Sequence, residues 1–296
     1  MTVLNPEKLV NHISGWIKGQ VLAAGAKTAV VGLSGGADSA LVAILCKRVF
    51  PDTVAVRMPC QSSQSSLDRA EELAKKFDIK MITVNLAPSY NTIAYQVCDG
   101  LNIGKRLEDG SIQVEEDKAS GGALRSCLRA PTLDYVAKLV NGLIVGTGNR
   151  DEDEVTRYFQ KRGDGAVDIS PIAKLHKSEV YELLKFLECP QSIIDAVPSA
   201  DLWGPDSGQE DEKELGLTYQ EIEWAIRLID KNCGLYQSGG FEIHSEYLAK
   251  LTPRQLEVLG KIAKMERVSR HKAEMPPVLD VRDGVMIDDS PTQLVD

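Results

Sequence analysis

No run of eighteen apolar residues occurs anywhere in the chain, which excludes a helical membrane span. The N-terminus, MTVLNPEKLV, has no charged segment leading into an apolar core, which argues against a secretory signal. C-x-x-C is absent, and so is any His/Cys grouping at zinc spacing. The six cysteines (Cys46, Cys60, Cys98, Cys127, Cys189 and Cys233) are scattered and read as reduced thiols in a cytoplasm. Positive charge is also scarce: a net charge of −9 and a pI near 5.1 argue against a general nucleic-acid binder, which needs a basic face, although local basic patches stay open. No internal repeat or low-complexity tract is present. Two common phosphate loops are missing as well, since neither G-x-x-x-x-G-K-[ST] nor G-x-G-x-x-G occurs at the glycine-rich stretch near the N-terminus.

What is present is a 296-residue chain, 43% hydrophobic, able to bury a large core in one domain with appendages or two domains at most. It is organised around Thr28 to Ser39, TAVVGLSGGADS. Ala29, Val30, Val31 and Leu33 read as a strand buried on both faces of a parallel sheet. Gly35 and Gly36 permit backbone angles that a Cβ forbids and let N–H groups approach a ligand. Ala40, Leu41, Ala43, Ile44, Leu45 and Val49 then give a helix whose N-terminus favours an anion. Ser34 and Ser39 add hydroxyls, while Asp38 beside phosphate requires a divalent cation between them. Strand, SGGADS and helix together resemble the PP-loop of the N-type ATP pyrophosphatases, which grips the pyrophosphate released when ATP is split between its α and β phosphates.

In chain order, residues 7–24 predict an amphipathic helix started by Asn5 and Pro6. Strands follow at Thr53 to Met58 and Lys80 to Leu86, with a helix over Ser65 to Phe77 between them. This alternation predicts an α/β fold: a doubly wound, mainly parallel sheet flanked by helices, with ligands at the carboxyl ends of the strands and a helical C-terminal extension. The polar loop Pro59 to Ser66 either contacts nucleotide or is a solvated connection. Residues 99–121 read as an excursion from the core, followed by a helix carrying Arg125 and Arg129 on one face, either solvated or binding phosphate or carboxylate. Asn141 to Val145 reads as a further strand ending at GTGNRDEDE, whose four carboxylates are either solvent-exposed or complete the cation site begun by Asp38. Lys177 opens an amphipathic helix, and the acidic stretch after Val197 suits a mobile lid. Thr252 to Glu266 reads as a capped helix, and 278–296 as a mobile acidic tail beyond a domain spanning 1–277.

Taken in order, SGGADS, GTGNRDEDE, YFQKRGDGAVDISPIAKLHKSEV, PSADLW, DEKELGLTY and a late HK resemble the ammonia-dependent NAD synthetases over roughly residues 5–277. The resemblance implies a carbon–nitrogen ligase that amidates nicotinic acid adenine dinucleotide with ammonia through an acyl adenylate, releasing AMP and pyrophosphate. It implies ATP held by Gly32, Leu33, Ser34, Gly35, Gly36, Ala37, Asp38 and Ser39, with Thr147, Lys177 and Ser199 at further nucleotide positions. Magnesium falls to Asp38 and Glu152, with Asp153 as the competing register. Arg125, Arg129, Lys161, Asp168, His271 and Lys272 are the implied dinucleotide contacts, and Asp38, Asp164 and Lys177 the catalytic groups. A homodimer with the dinucleotide near the subunit interface is implied too, as is free or separately delivered ammonia, since about thirty residues precede the loop.

One position departs from the family. Where many members carry the first arginine of A-R-x-R-M, this chain has Cys127, so either Arg125 substitutes or the dinucleotide contact differs. Three rival readings remain: an RNA-base adenylating enzyme, which predicts a basic appendage or cysteine pair; a non-catalytic ATP sensor; and an amide ligase acting on another carboxylate.

Overall fold

The computed structural model describes residues 5–107, 111–114, 118–199, 210–232 and 248–277. In chain order the first half runs α1 (Pro6–Ala23), β1 (Thr28–Gly32), α2 (Ala37–Val49), β2 (Val54–Arg57), α3 (Gln64–Lys76), β3 (Lys80–Thr83), α4 (Ala87–Leu101), β4 (Lys105–Arg106) and β5 (Ile112–Gln113). The second half runs α5 (Lys118–Val140), β6 (Gly142–Ile144), a π-helical turn (Asp151–Thr156), α6 (Lys177–Phe186), α7 (Gln191–Ile194), α8 (Asp211–Leu215), α9 (Tyr219–Asn232) and α10 (Pro253–Ala273). The proposed tail and most of the proposed lid, residues 278–296 and 200–209, lie outside the described residues.

Four strands form one parallel sheet in the order β3-β2-β1-β6, with Val30 of β1 opposite both Val54 and Ile144. The chain leaves β1 toward β2 on one side and returns to β6 on the other. The carboxyl end of β1 is therefore a switch point, where helix N-termini diverge and leave a crevice. Apolar residues on both faces of β1 explain its central place: Val31 joins the core under α1, α2 and α6, while Val30 joins the core under α4 and α5. The sequence therefore supplies three layers, helix, sheet and helix. A third core, around Leu217, Ile222, Ile226, Val258 and Ile262, ties α9 and α10 to Val155 of the π-helical turn.

The helix starts follow local chemistry. Asn5 accepts from the Lys8 N–H at 2.8 Å with Pro6 behind it, and Thr252 and Gln255 exchange a capping box at the start of α10. Helix α4 goes beyond the sequence reading, which left 87–98 unassigned and took 99–121 as an excursion. Tyr90, Ala94 and Cys98 are buried at four-residue spacing, and Asn102 ends the helix in the left-handed region, so the signal was present. Cys46, Cys60, Cys98, Cys127 and Cys189 are free thiols. No helix among the described residues is long and apolar enough to cross a membrane.

Ile17 of α1 is fully buried in the larger core. Ile17→Ala is expected to lower unfolding free energy by about 2–5 kcal/mol with an unchanged denaturant slope, measured by urea titration.

Candidate active site

The loop after β1 is braced by its own side chains. The Gly36 N–H donates to Ser34 Oγ at 3.2 Å, the Ser34 N–H donates to Ser39 Oγ at 3.3 Å, and Ser39 donates to the Gly36 carbonyl at 3.0 Å. Only one of the two glycines needs its freedom: Gly35 has φ +85°, and a Cβ there would stand 2.1 Å from the Ser66 carbonyl, whereas Gly36 has φ −90° and serves as the N-cap of α2. Arg69 of α3, which sequence reasoning did not single out, donates from Nε to the Gly35 carbonyl at 3.0 Å. The loop and the first turn of α2 open on a cavity of about 590 Å³. Gly32, Leu33, Ser34, Gly36, Ala37, Asp38, Ser39, Thr147, Lys177 and Ser199 line it, with Gly35 buried behind them. Ser62, Ser63, Ser65 and Ser66 line it too, so the polar loop left open above faces the cavity.

At the cavity's polar centre, Lys177 Nζ lies 2.6 Å from Asp38 Oδ2 and 2.8 Å from Glu152 Oε1. Tyr219 covers the ammonium with its ring, 4.8 Å from the centroid, and its hydroxyl lies 2.7 Å from Glu152 Oε1 and 3.2 Å from Asp211 Oδ2. Asn149 donates to Asp38 Oδ1 at 3.2 Å while its Oδ1 accepts the N–H groups of Asp151 and Glu152. Burial opposes the Lys177 charge, but the two carboxylates outweigh it and raise its pKa, so the ammonium persists. Burial, assisted by the Glu152 charge, leaves Asp38 above the usual carboxylate range despite Lys177. Burial opposes ionisation of Glu152 as well, yet Lys177 and the hydrogen bonds to it hold this carboxyl low. Two carboxylates already sharing one cation form a hard oxygen donor set, which fits a divalent ion such as magnesium.

The four carboxylates after Arg150 are not a solvated face. The π-helical turn gives each its own surroundings. Asp151 is fully buried against His176, Glu152 meets Lys177, and Glu154 pairs with Arg150 at 2.6 Å and Lys174 at 3.0 Å. Asp153 lines the cavity beside Gly148, where a Cβ would stand 1.9 Å from Asp153 Oδ2. The Lys177 ammonium joins Asp38 to Glu152.

The residues expected to hold the second substrate separate into two groups. Arg129 and Asp164 line the cavity, and Asp164 Oδ1 accepts from Ser126 Oγ at 2.5 Å and from the Gln160 N–H at 3.0 Å. Arg125 and Arg129 do not share a binding face: Arg125 is buried, stacked 4.4 Å from the Tyr90 ring centroid and bonded to Gln61 Oε1 at 2.7 Å. The Cys127 thiol, at the position of the family's arginine, is pushed up by burial and by Asp164. Asp168 Oδ2 accepts the Ile144 N–H at 2.8 Å. Lys161, His271 and Lys272 gather beside the end of α10, whose final carbonyls attract a cation, with Lys272 in electrostatic range of the cavity-lining Asp164. Lys161 donates to the His271 carbonyl at 2.6 Å and to that of Glu274, and Lys272 donates to the Phe159 and Arg157 carbonyls at 2.6 and 2.9 Å. Sequence reasoning missed Tyr219, Asp211 and Asn149; the first two lie inside DEKELGLTY, a motif noticed without assigning roles to its members.

A parallel sheet with a serine–glycine loop at its switch point, facing an acidic pair bridged by lysine, has the features of a nucleotide-binding α/β enzyme, and its loop is the stretch that resembles a PP-loop. The chain belongs to the NAD synthase family, whose model matches residues 9–276. It is 36% identical to the NH3-dependent NAD(+) synthetase of Syntrophomonas wolfei over 93% of this chain and 96% of that protein. Its fold is similar to the solved structure of the NMN synthetase of Francisella tularensis (TM-score 0.74, 28% identity, 94% of this chain and 100% of that one). It also matches the NH3-dependent NAD synthetase of Campylobacter jejuni (TM-score 0.71, 23% identity, 94% and 100%), which supports the fold.

Asp153 generates a pH prediction. Burial, then the charges of Glu152, Asp164 and Asp38, push its pKa from 3.8 up to about 7. The folded protein therefore holds a proton that the unfolded chain has lost, and stability falls as pH rises from about 4 to about 7. In chelator, Asp153→Asn is expected to flatten this slope and to stabilise the protein at pH 8 by up to roughly 4 kcal/mol, read from urea midpoints at pH 5 and 8.

Proposed function

We propose that this chain joins ammonia to the nicotinate carboxyl of nicotinic acid adenine dinucleotide, forming NAD with cleavage of ATP to AMP and pyrophosphate. Family membership and the S. wolfei relative, matched over nearly its whole length, support the reaction. The observation that carries it is the Lys177 ammonium held between Asp38 and Glu152 at the mouth of the phosphate loop.

A carboxylate is a poor electrophile, so the acid must first attack the α-phosphate of ATP, bringing two anions together. The loop N–H groups and the α2 terminus receive the departing pyrophosphate, and Lys177 offsets charge as it develops. Ammonia then attacks the acyl adenylate and displaces AMP. Asp38 and Glu152 would hold a magnesium ion, which when bound supplies further charge neutralisation at the phosphates. Arg129 and Asp164, which line the cavity, serve as contacts for the acid, and Asp164 is kept in place by Ser126.

A second acceptor is favoured by two observations. Lys161 and Lys272, assigned to the dinucleotide by resemblance, are engaged with backbone carbonyls, and a relative at 28% identity is an NMN synthetase. Nicotinic acid mononucleotide is thus the competing substrate. The homodimer is supported by exposed apolar side chains on α4 and α5, among them Val97 (51% exposed), Leu101 (64%), Tyr135 (68%) and Leu139 (68%).

With ATP, magnesium, ammonium and each acid in turn, the enzyme is expected to form AMP and amide product one for one, with the dinucleotide preferred by kcat/KM. Preference for the mononucleotide would select the second reading, and AMP without amide would exclude both. Lys177→Met is expected to lower kcat/KM by about 10²–10³-fold. Sedimentation is expected to give the mass of two chains, shifting toward one in Tyr135→Glu/Leu139→Glu.

A further inference from the structure

We infer that Asp151 and His176 are positioning residues that set the Lys177 ammonium between Asp38 and Glu152, an inference that rests on the amide-forming reading above. Both are almost completely buried, at 0% and 2% exposed, and neither lines the cavity. Asp151 Oδ1 lies 2.6 Å from His176 Nδ1. A carboxylate only accepts, so Nδ1 carries the proton and donates it. Asp151 Oδ2 accepts the backbone N–H of Lys177 at 2.8 Å. That N–H opens α6 and has no partner within the helix, and the carboxylate meets the positive end of the helix dipole.

The result is a two-step clasp in register. Asp151 of the π-helical turn grips His176 and the Lys177 backbone, and the next residue, Glu152, grips the Lys177 side chain. Any slide of the turn along α6 displaces Glu152 from the ammonium. Glu179 accepts the His176 backbone N–H at 2.8 Å as one arm of a capping box, so the start of α6 is fixed from its own first turn as well as from Asp151. Asp151, His176 and Glu223 offer ligand atoms within 4.8 Å of one another, but the Arg150 guanidinium, 3.5 Å from His176 Nε2, places a fixed positive charge where a metal would bind. Arg150 is itself held by Glu154 and Asp230, so the imidazole is fixed from both ring nitrogens. An apolar pair would fill this space with less desolvation; a buried, fully directed pair instead specifies geometry.

The test compares His176→Asn, whose Nδ2 can stand where Nδ1 stands, with His176→Leu, which keeps volume without the bond. His176→Leu is expected to lower kcat by about 10–100-fold with the ATP KM within about threefold, and His176→Asn to restore kcat to within about threefold of wild type. Equal losses in both, full activity in His176→Leu, or an effect confined to KM overturns the inference. If His176→Leu does not fold, the Asn variant decides: a loss as deep as that of Lys177→Met overturns it. A readout independent of turnover is the urea-midpoint cycle of His176→Asn with Asp38→Asn, set beside that of His176→Leu with Asp38→Asn. Asp38 is linked to His176 through Lys177, so the Leu cycle is expected to be non-additive and the Asn cycle nearly additive. Additive Leu shifts overturn the inference. Wild-type protein that makes no amide overturns the reaction instead, and the cycle still judges the pair.

Discussion

The structure depends on one ammonium group. Lys177 is buried, and its charge is tolerated because Asp38 and Glu152 lie at 2.6 and 2.8 Å and the Tyr219 ring covers it. Removing one partner from such a buried pair typically costs about 3–5 kcal/mol, because the remaining charge is left uncompensated. The arrangement therefore fixes relative positions more strongly than it adds net stability. It joins the first turn of α2, the π-helical turn and the first turn of α6, three elements with no local reason to meet.

The parallel sheet makes that meeting possible. With β1 between β2 and β6, the loops following β1 and β6 leave the same edge of the sheet side by side, bringing Asp38 and Glu152 together. The third core, through Val155, presses α9 and α10 against the turn and delivers Tyr219 from a distant part of the sequence. Packing and polar geometry are thus coupled: the same turn that buries Val155 aims Glu152 into the cavity.

Much of this was legible beforehand. The run at Ala29 to Val31, the glycines after it and the helical spacing from Ala40 fixed strand, loop and helix, and the motif order identified the family. Helix α4 was overlooked although Tyr90, Ala94 and Cys98 carried the period, because a polar stretch after it drew attention to a loop. The DEDE run was ambiguous for a physical reason. Four adjacent carboxylates look alike in sequence, and only the wide turn decides that Asp151 goes inward, Glu152 to lysine, Asp153 to the cavity and Glu154 to Arg150. The paired arginines part for the same reason, since Tyr90 and Gln61, which hold Arg125, come from elsewhere in the chain.

By itself the sequence determined what depends on local pattern: apolar period, glycine at a left-handed turn, capped helix starts, and the anion-binding character of a strand–loop–helix unit. These follow from backbone sterics and from the dipole of a single helix, and they need no distant partner. Tertiary structure alone decided which carboxylates share the lysine, which arginine faces the cavity, and where Lys161 and Lys272 spend their hydrogen bonds. Those outcomes depend on charges and carbonyls brought together from separate parts of the chain, such as Asp38 and Lys177 at a separation of 139, where sequence spacing carries no information about distance.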